Sequence, residues 1–262
     1  MNTLTKIYDT LSLYPPNTQK VYKRTLKDYL NFTGGNLTPY YLQDYINKIS
    51  KENSPASVRV KYYALKKIFN ILKYNIDNNI ILPRKLNHEP QILTKEQLKY
   101  YYKLVNKINN NQVRTILLLL PRTGLRISEI LNLKVSDIKF QSGIVYIVIY
   151  GKGNKIRKVT LNKKAYSIIY EYIKNNNISD RLFAITDELV RYYLRRLRKV
   201  LKCEFLTPHT LRHTFASILL QKGVDVKTIS ELLGHHSVVF TLKTYCHTTL
   251  EQKQHAVEII DK

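Results

Sequence analysis

Between Ser54 and Lys73 the apolar and basic residues separate onto two sides of a helical period. Leu65, Ile68, Phe69 and Leu72 share one side, whereas Arg59, Lys66 and Lys73 recur every seven residues on the other, with Tyr63 and Asn70 between them. Ser54 followed by Pro55 supplies the cap and first-turn signal for this helix. Two helices are predicted before it. One is capped by Asn17 or Thr18, runs towards Phe32 and is stopped by Gly34 and Gly35; the next starts where Thr38 meets Pro39. From about Ile81 to Gln91, Pro83, Pro90 and mixed charges break every period and read as a linker.

A second region opens on Thr94, which with Gln97 forms a capping-box pattern. The helix it starts is expected to reach about Pro121 and to stop at Thr123 and Gly124, with a short helix carrying Arg126 to Leu133 behind it. The period then changes to that of strands. Ile144 to Tyr150 and Ile156 to Leu161 flank a Gly-Lys-Gly-Asn turn at 151 to 154 and predict a hairpin. Helical patterns resume at Lys163. In the segment from Asp187 to Lys202, Arg191, Arg195, Arg198 and Lys202 form a stripe beside Val190, Leu194, Leu197 and Leu201, so one helix both packs and meets phosphate. The pattern predicts a mainly α chain with a small β-hairpin or sheet. A helical domain covers 1–84, a linker 85–92, and an α+β domain 93–262, ending in a tail helix with Leu250, Val257 and Ile260 at helical spacing.

Composition adds a partner to this outline. Lys and Arg number 43 against 19 Asp and Glu, a formal charge of +24 spread along the whole chain, which favours a polyanion held on an extended surface. A ribosomal protein shares such a charge, but not so many Tyr, Ile and Leu residues in periodic, core-forming segments. With 44% hydrophobic residues over 262 positions, the chain has material for a real core and disorder is a poor expectation. Only Cys203 and Cys246 are present, far apart, so no disulfide framework is read and a reducing compartment fits. Met1 to Tyr14 lacks the apolar run of a signal peptide and no segment approaches a membrane span, so the expectation is a soluble cytoplasmic protein that stays with its DNA, in a nucleoid or, for a viral source, a viral factory.

Four separated segments carry the chemistry. They are Thr-Gly-Leu-Arg-Ile-Ser-Glu at 123 to 129, Gly-Lys-Gly-Asn-Lys at 151 to 155, His-Thr-Leu-Arg-His at 209 to 213, and Leu-Leu-Gly-His at 232 to 235 with Tyr245 ten residues on. In this order and spacing they resemble the tyrosine recombinase, or phage integrase, family, including Xer-like and transposon integrases. The likeness is strong from about Arg122 to His247. Residues 1 to 90 resemble that family's core-binding domain only in size, helicity and charge.

Two guanidiniums suit a phosphodiester under attack, because its nonbridging oxygens gain negative charge and accept forked, charge-assisted hydrogen bonds. Arg126 and Arg212 are the candidates. His209 and Arg212 lie three apart after Thr207 and Pro208, a cap and first-turn signal, and are expected on one helical face. The resemblance implies an α+β tyrosine recombinase catalytic domain with Tyr245 as nucleophile, forming a 3′-phosphotyrosyl link and exchanging strands through a Holliday junction. It further implies His209 as general base or proton shuttle, His235 as a donor to a phosphate oxygen, and Lys152 as the general acid for the departing 5′ oxygen. Lys155 competes for that last role. Glu129 matches an acidic residue that orients the side chains at the site, and His236 departs from the family pattern by adding a second imidazole beside His235. DNA-binding positions are expected at Arg59, Lys66, Lys73, Arg191, Arg195, Arg198 and Lys202.

The partners implied are a double-stranded recombination site, four copies of the chain in the synaptic complex and an accessory protein of unspecified kind. No metal or cofactor is expected. A zinc hydrolase is the rival enzyme class, since His209 and His213 are four apart, but the Glu that follows the first His of a His-Glu-x-x-His site is missing. Two readings stay closer: a catalytically silent, recombinase-derived DNA-binding regulator, and a hairpin-telomere resolvase using the same chemistry.

Overall fold

A computed structural model describes residues 3–76, 79–84, 90–151, 156–234, 238, 239 and 241. The chain divides into two compact units, Met1–His88 and Glu89–Lys262. Among the described residues the first carries helices α1 (Thr3–Ser12), α2 (Pro16–Phe32), α3 (Leu42–Glu52) and α4 (Pro55–Ile71), with a 3-10 turn at Pro39–Tyr41. Helix α4 starts where Ser54 accepts a hydrogen bond from the Ser57 N–H and Pro55 occupies the first turn, where its missing N–H costs nothing. The core of this unit is aromatic. Tyr29 meets Tyr45 and Phe69 edge to face at 5.1 and 5.6 Å, and its hydroxyl donates to the Thr38 carbonyl.

Helix α4 is shorter than the basic stripe suggested. It ends at Ile71, and Lys73 lies beyond it in a left-handed conformation with φ 60°. The Tyr74 N–H closes the end by bonding the Phe69 carbonyl while the two rings pack at 6.0 Å, a Schellman-like stop with its apolar contact. Helix α1 is an addition to the pattern read from sequence.

The second unit carries helices α5 (Lys95–Asn106), α6 (Asn111–Thr123), α7 (Ile127–Leu131), α8 (Lys163–Asn175), α9 (Asp187–Leu201), α10 (Pro208–Gln221) and α11 (Val226–Leu233). A three-stranded antiparallel sheet, β1 (Ile138–Gln141), β2 (Ile144–Tyr150) and β3 (Ile156–Thr160), interrupts them in that order. The capping box of Thr94 and Gln97 is present with both hydrogen bonds. The single helix expected up to Pro121 is two, because Asn110 caps a fresh start by accepting from the Val113 N–H at 3.0 Å. Strand β1 joins β2 through Ser142 and Gly143, both at positive φ, as a two-residue hairpin turn requires.

Helix α6 is the axis of this unit and packs against α5, α8, α9 and α10. Val113, Ile116, Leu117 and Leu120 bury one flank of it among Tyr101, Ile169 and Val190. Among the described residues no helix is long and apolar enough to cross a membrane.

Candidate functional site

Helix α6 stops at Gly124, whose left-handed φ of 64° lets its N–H bond back to the Leu120 carbonyl. A Cβ here would collide with the Phe215 ring of α10, so glycine also permits the close approach of these two helices. Two residues later Arg126 caps α7. Its backbone N–H donates to Glu129 Oε2 at 2.7 Å and its guanidinium Nη1 to Oε1 at 2.8 Å, so one carboxylate fixes both ends of the arginine. The same carboxylate accepts both outer nitrogens of Arg157 from β3, Nη1 at 2.9 Å and Nη2 at 2.7 Å. Burial alone would raise the Glu129 carboxyl, but the hydrogen bonds and charge of Arg157 and Arg126 outweigh it and hold its pKa below the ordinary value.

Arg212 comes from α10, which Thr207 caps by accepting from the Thr210 N–H while Pro208 fills the first turn. It is 4% exposed, and its guanidinium donates from Nη1 to the Gly124 carbonyl at 2.7 Å and from Nη2 to the Leu233 carbonyl at 2.6 Å. A buried cation needs such acceptors. They lie at the ends of α6 and α11, where the last carbonyls of a helix lack intrahelical partners and carry its negative dipole end.

Three consecutive carbonyls at the end of α11 each accept from a different arginine. Leu232 takes Arg157 Nε at 3.0 Å, Leu233 takes Arg212, and Gly234 takes Arg126 Nη2 at 3.3 Å. The helix terminates on Gly234 at φ 64°, where a Cβ would press to 2.8 Å from Arg157 Cδ and Nη1. Arginines 126, 157 and 212, distant in sequence, thus converge on the turn that leads into His235.

His209 sits exposed in the first turn of α10. Partial burial and the guanidiniums of Arg212, Arg191 and Arg126 push its pKa below the ordinary 6.5, with Asp187 opposing them. One turn on, the His213 ring lies 6.4 Å from it and is pushed down to about 4 by burial, His209 and Arg212. Both imidazoles are therefore neutral at pH 7, the form that accepts a proton. Arg191 and Asp187 flank His209 from α9 as a pair of their own, Nε to Oδ2 at 2.9 Å.

The sequence candidates separate into three groups. Arg126, Glu129 and Arg212 meet through the end of α11, and His209 lies within the field of both arginines. Lys152, Lys155, His235, His236, Tyr245, Cys246 and the tail helix lie outside the described residues. The basic positions proposed for DNA have mixed surroundings. Arg59 donates to the Pro83 carbonyl, Lys66 lies 6.0 Å over the Tyr62 ring, and Arg198 donates to the Leu206 carbonyl at 2.7 Å. Lys73, Arg195 and Lys202 are exposed. The residue missed by sequence reasoning is Arg157. Its signal was parity: on β3 it shares the inward side with buried Val159, and it stands opposite buried Ile149 of β2.

The family model described as phage integrase family matches residues 91–252. A tyrosine recombinase of Thermosipho africanus is 30% identical over 263 residues, covering 92% of this chain and 92% of its own. The tyrosine recombinase XerA of Thermococcus kodakarensis is 31% identical over 255 residues, covering 93% and 89%. Among solved structures, an integrase of transposon Tn1549 in complex with circular intermediate DNA shares the fold at a TM-score of 0.78, with 18% identity and coverage of 99% of this chain and 100% of that one. A XerH site-specific recombinase bound to its difH substrate does so at 0.73, with 24% identity and coverage of 93% and 79%.

Proposed function

Since the chain belongs to the phage integrase family and is a tyrosine site-specific recombinase that acts on DNA, we propose that Tyr245 attacks a DNA phosphodiester and leaves a 3′-phosphotyrosyl link with a free 5′ hydroxyl. The observation that carries this reading is the convergence of Arg126 and Arg212 on neighbouring carbonyls at the end of α11, with His235 next in the chain. Arg126, with its side chain 39% exposed, can turn guanidinium donors to a nonbridging oxygen, and the charge of Arg212 on the adjacent carbonyl adds to the positive field there, where negative charge grows as phosphorus becomes five-coordinate. Neutral His209 takes the phenol proton, whose ordinary pKa of about 10 makes a base useful. His235 donates to a phosphate oxygen, and Lys152 protonates the departing 5′ oxygen. The bond energy of the phosphodiester stays in the tyrosyl link, so a 5′ hydroxyl from a second duplex rejoins it without ATP, and four copies exchange strands through a Holliday junction. The exposed bases Lys73, Arg195 and Lys202 serve phosphate contacts that position the duplex.

The test is to incubate purified protein with fragmented genomic DNA, denature, and sequence what remains covalently attached to tyrosine. A defined site held on Tyr245 is the expected result. Duplexes bound reversibly with nothing covalent would favour the silent regulator, and a recovered hairpin product the telomere resolvase.

The pair on α9 makes a further prediction about pH. A base must be neutral, so cleavage fails as pH falls through the pKa of His209, which lies below the ordinary 6.5. Arg191→Gln removes a cation that depresses this pKa and frees Asp187, which raises it, so the acid limb of the rate profile moves to higher pH. Asp187→Asn removes the opposing charge and moves it lower. Single-turnover cleavage from pH 5 to 8, on the order of the imidazole range, reads both shifts. Unmoved limbs in both variants would remove His209 as the base.

A further inference from the structure

Arg157 is committed to the protein on all three of its nitrogens. Its Nε, Nη1 and Nη2 are all engaged, on the Leu232 carbonyl at 3.0 Å and on the two Glu129 oxygens at 2.9 and 2.7 Å, and its side chain is 13% exposed. Arg126 has the opposite character. Its side chain is 39% exposed and shares Glu129 Oε1 with Arg157. The sharing decides what Arg126 offers a phosphate. Two guanidiniums on one carboxylate leave a net charge of +1, whereas Arg126 and Glu129 alone would form a neutral pair, with the carboxylate released from Arg157 to draw the Arg126 guanidinium further from solvent.

Resting on the phosphate-site reading above, we propose that Arg157 is a positioning residue for cleavage: it neutralises and orients Glu129 so that the charge and outer donors of Arg126 remain available to the scissile phosphate. It also ties β3 to the end of α11. The Leu232 carbonyl it holds precedes the one bound by Arg212, and a Cβ on Gly234 would strike Arg157 itself. The same side chain therefore sets the carboxylate behind one phosphate-binding arginine and the helix end beside the other. No other described side chain bonds both Glu129 and the end of α11 except Arg126.

The experiment compares two substrates built on the site recovered by covalent trapping: the natural phosphodiester, and a duplex whose scissile nonbridging oxygen is replaced by methyl. The methylphosphonate is neutral, so its transition state makes a smaller demand on each guanidinium. Arg157→Met should bind the natural duplex within about threefold of wild type but cleave it about a hundredfold more slowly, the scale expected for a displaced group at the reacting centre. On the methylphosphonate its deficit should shrink to about tenfold or less, as that of Arg126→Ala should. Arg157→Lys keeps the charge but cannot hold Glu129 and the Leu232 carbonyl together, so it should remain about tenfold slow on the phosphodiester. If Arg157→Met does not fold, Arg157→Lys carries the comparison.

Equal deficits on the two substrates would mark a general loss of structure and overturn the proposal, as would full-rate cleavage by Arg157→Lys. Should Arg126→Ala cleave the phosphodiester normally, the phosphate-site reading itself fails, and the role of Arg157 falls with it.

Discussion

Tyr245→Phe should abolish the covalent protein–DNA complex while leaving duplex binding within about twofold of wild type. One oxygen is removed and the ring kept, so packing is preserved and only nucleophilic attack is lost. The drop in adduct should be at least about a thousandfold, since no weaker version of the phenol oxygen remains. The chain has 21 tyrosines, and burial disqualifies several from substituting. Tyr101 is fully buried with its hydroxyl donating to the Leu117 carbonyl, Tyr45 is pushed up to about 12 by burial and Asp28, and Tyr29 is raised further by burial and its neighbours. Each holds its proton more tightly than an ordinary phenol. Denaturing electrophoresis of labelled duplex reads the result, and a Tyr245→Phe protein that still carries label in the gel would exclude Tyr245 as nucleophile.

Lys152→Ala should slow cleavage of ordinary DNA by about a hundredfold to ten-thousandfold, the range of a lost general acid. Replacing the bridging 5′ oxygen by sulfur supplies a leaving group that departs without a proton, so the variant should recover most of its rate on that substrate. Arg212→Ala should not recover, because the role proposed for its charge is at the nonbridging oxygens, which sulfur at the bridging position leaves unchanged. Tyr150 pairs with Ile156 in the last rung of the sheet, and Lys152 follows Tyr150 by two residues in the chain. Lys155→Ala run in parallel separates the two lysines. A Lys152→Ala deficit that is the same with sulfur as with oxygen would remove the acid role, and a rescued Lys155→Ala would transfer it.

The legible parts of the fold were those fixed by local chemistry. Ser54, Thr94 and Thr207 each mark a helix start and each accepts the N–H expected of a cap. The arginines 126 and 212 were singled out through the residues around them in sequence, and the structure brings them to neighbouring carbonyls. What escaped detection depends on distant partners. Strand β1 shows only one half-covered residue, Ile138, followed by three exposed ones, so no alternation announced it. The break between α5 and α6 rests on one asparagine in a polar stretch where Asn109 and Asn111 look equivalent to Asn110. Lys73 continued a seven-residue spacing that the left-handed turn after Leu72 interrupts. Arg157 belonged to a strand read as alternating, but a basic residue on its inward side acquires meaning only when Glu129 and Leu232 are brought opposite it, 28 and 75 residues away.

Those separations bear on how the enzyme comes into being. The bonds that converge on the end of α11 span 75, 21 and 108 residues, so each closes a loop whose entropy must be overcome before the contact stabilises anything. Elements that pack locally, such as the β2–β3 hairpin, form without them. The arginine cluster therefore belongs to the late stages of folding, and on a ribosome it has no way to close until Gly234 has left the exit tunnel. A chain interrupted before that point carries Arg126 and Arg157 but not the helix end that gathers them. For a recombinase that acts on DNA, the topology acts as a safeguard during synthesis: the arginine cluster closes only after Gly234 has emerged.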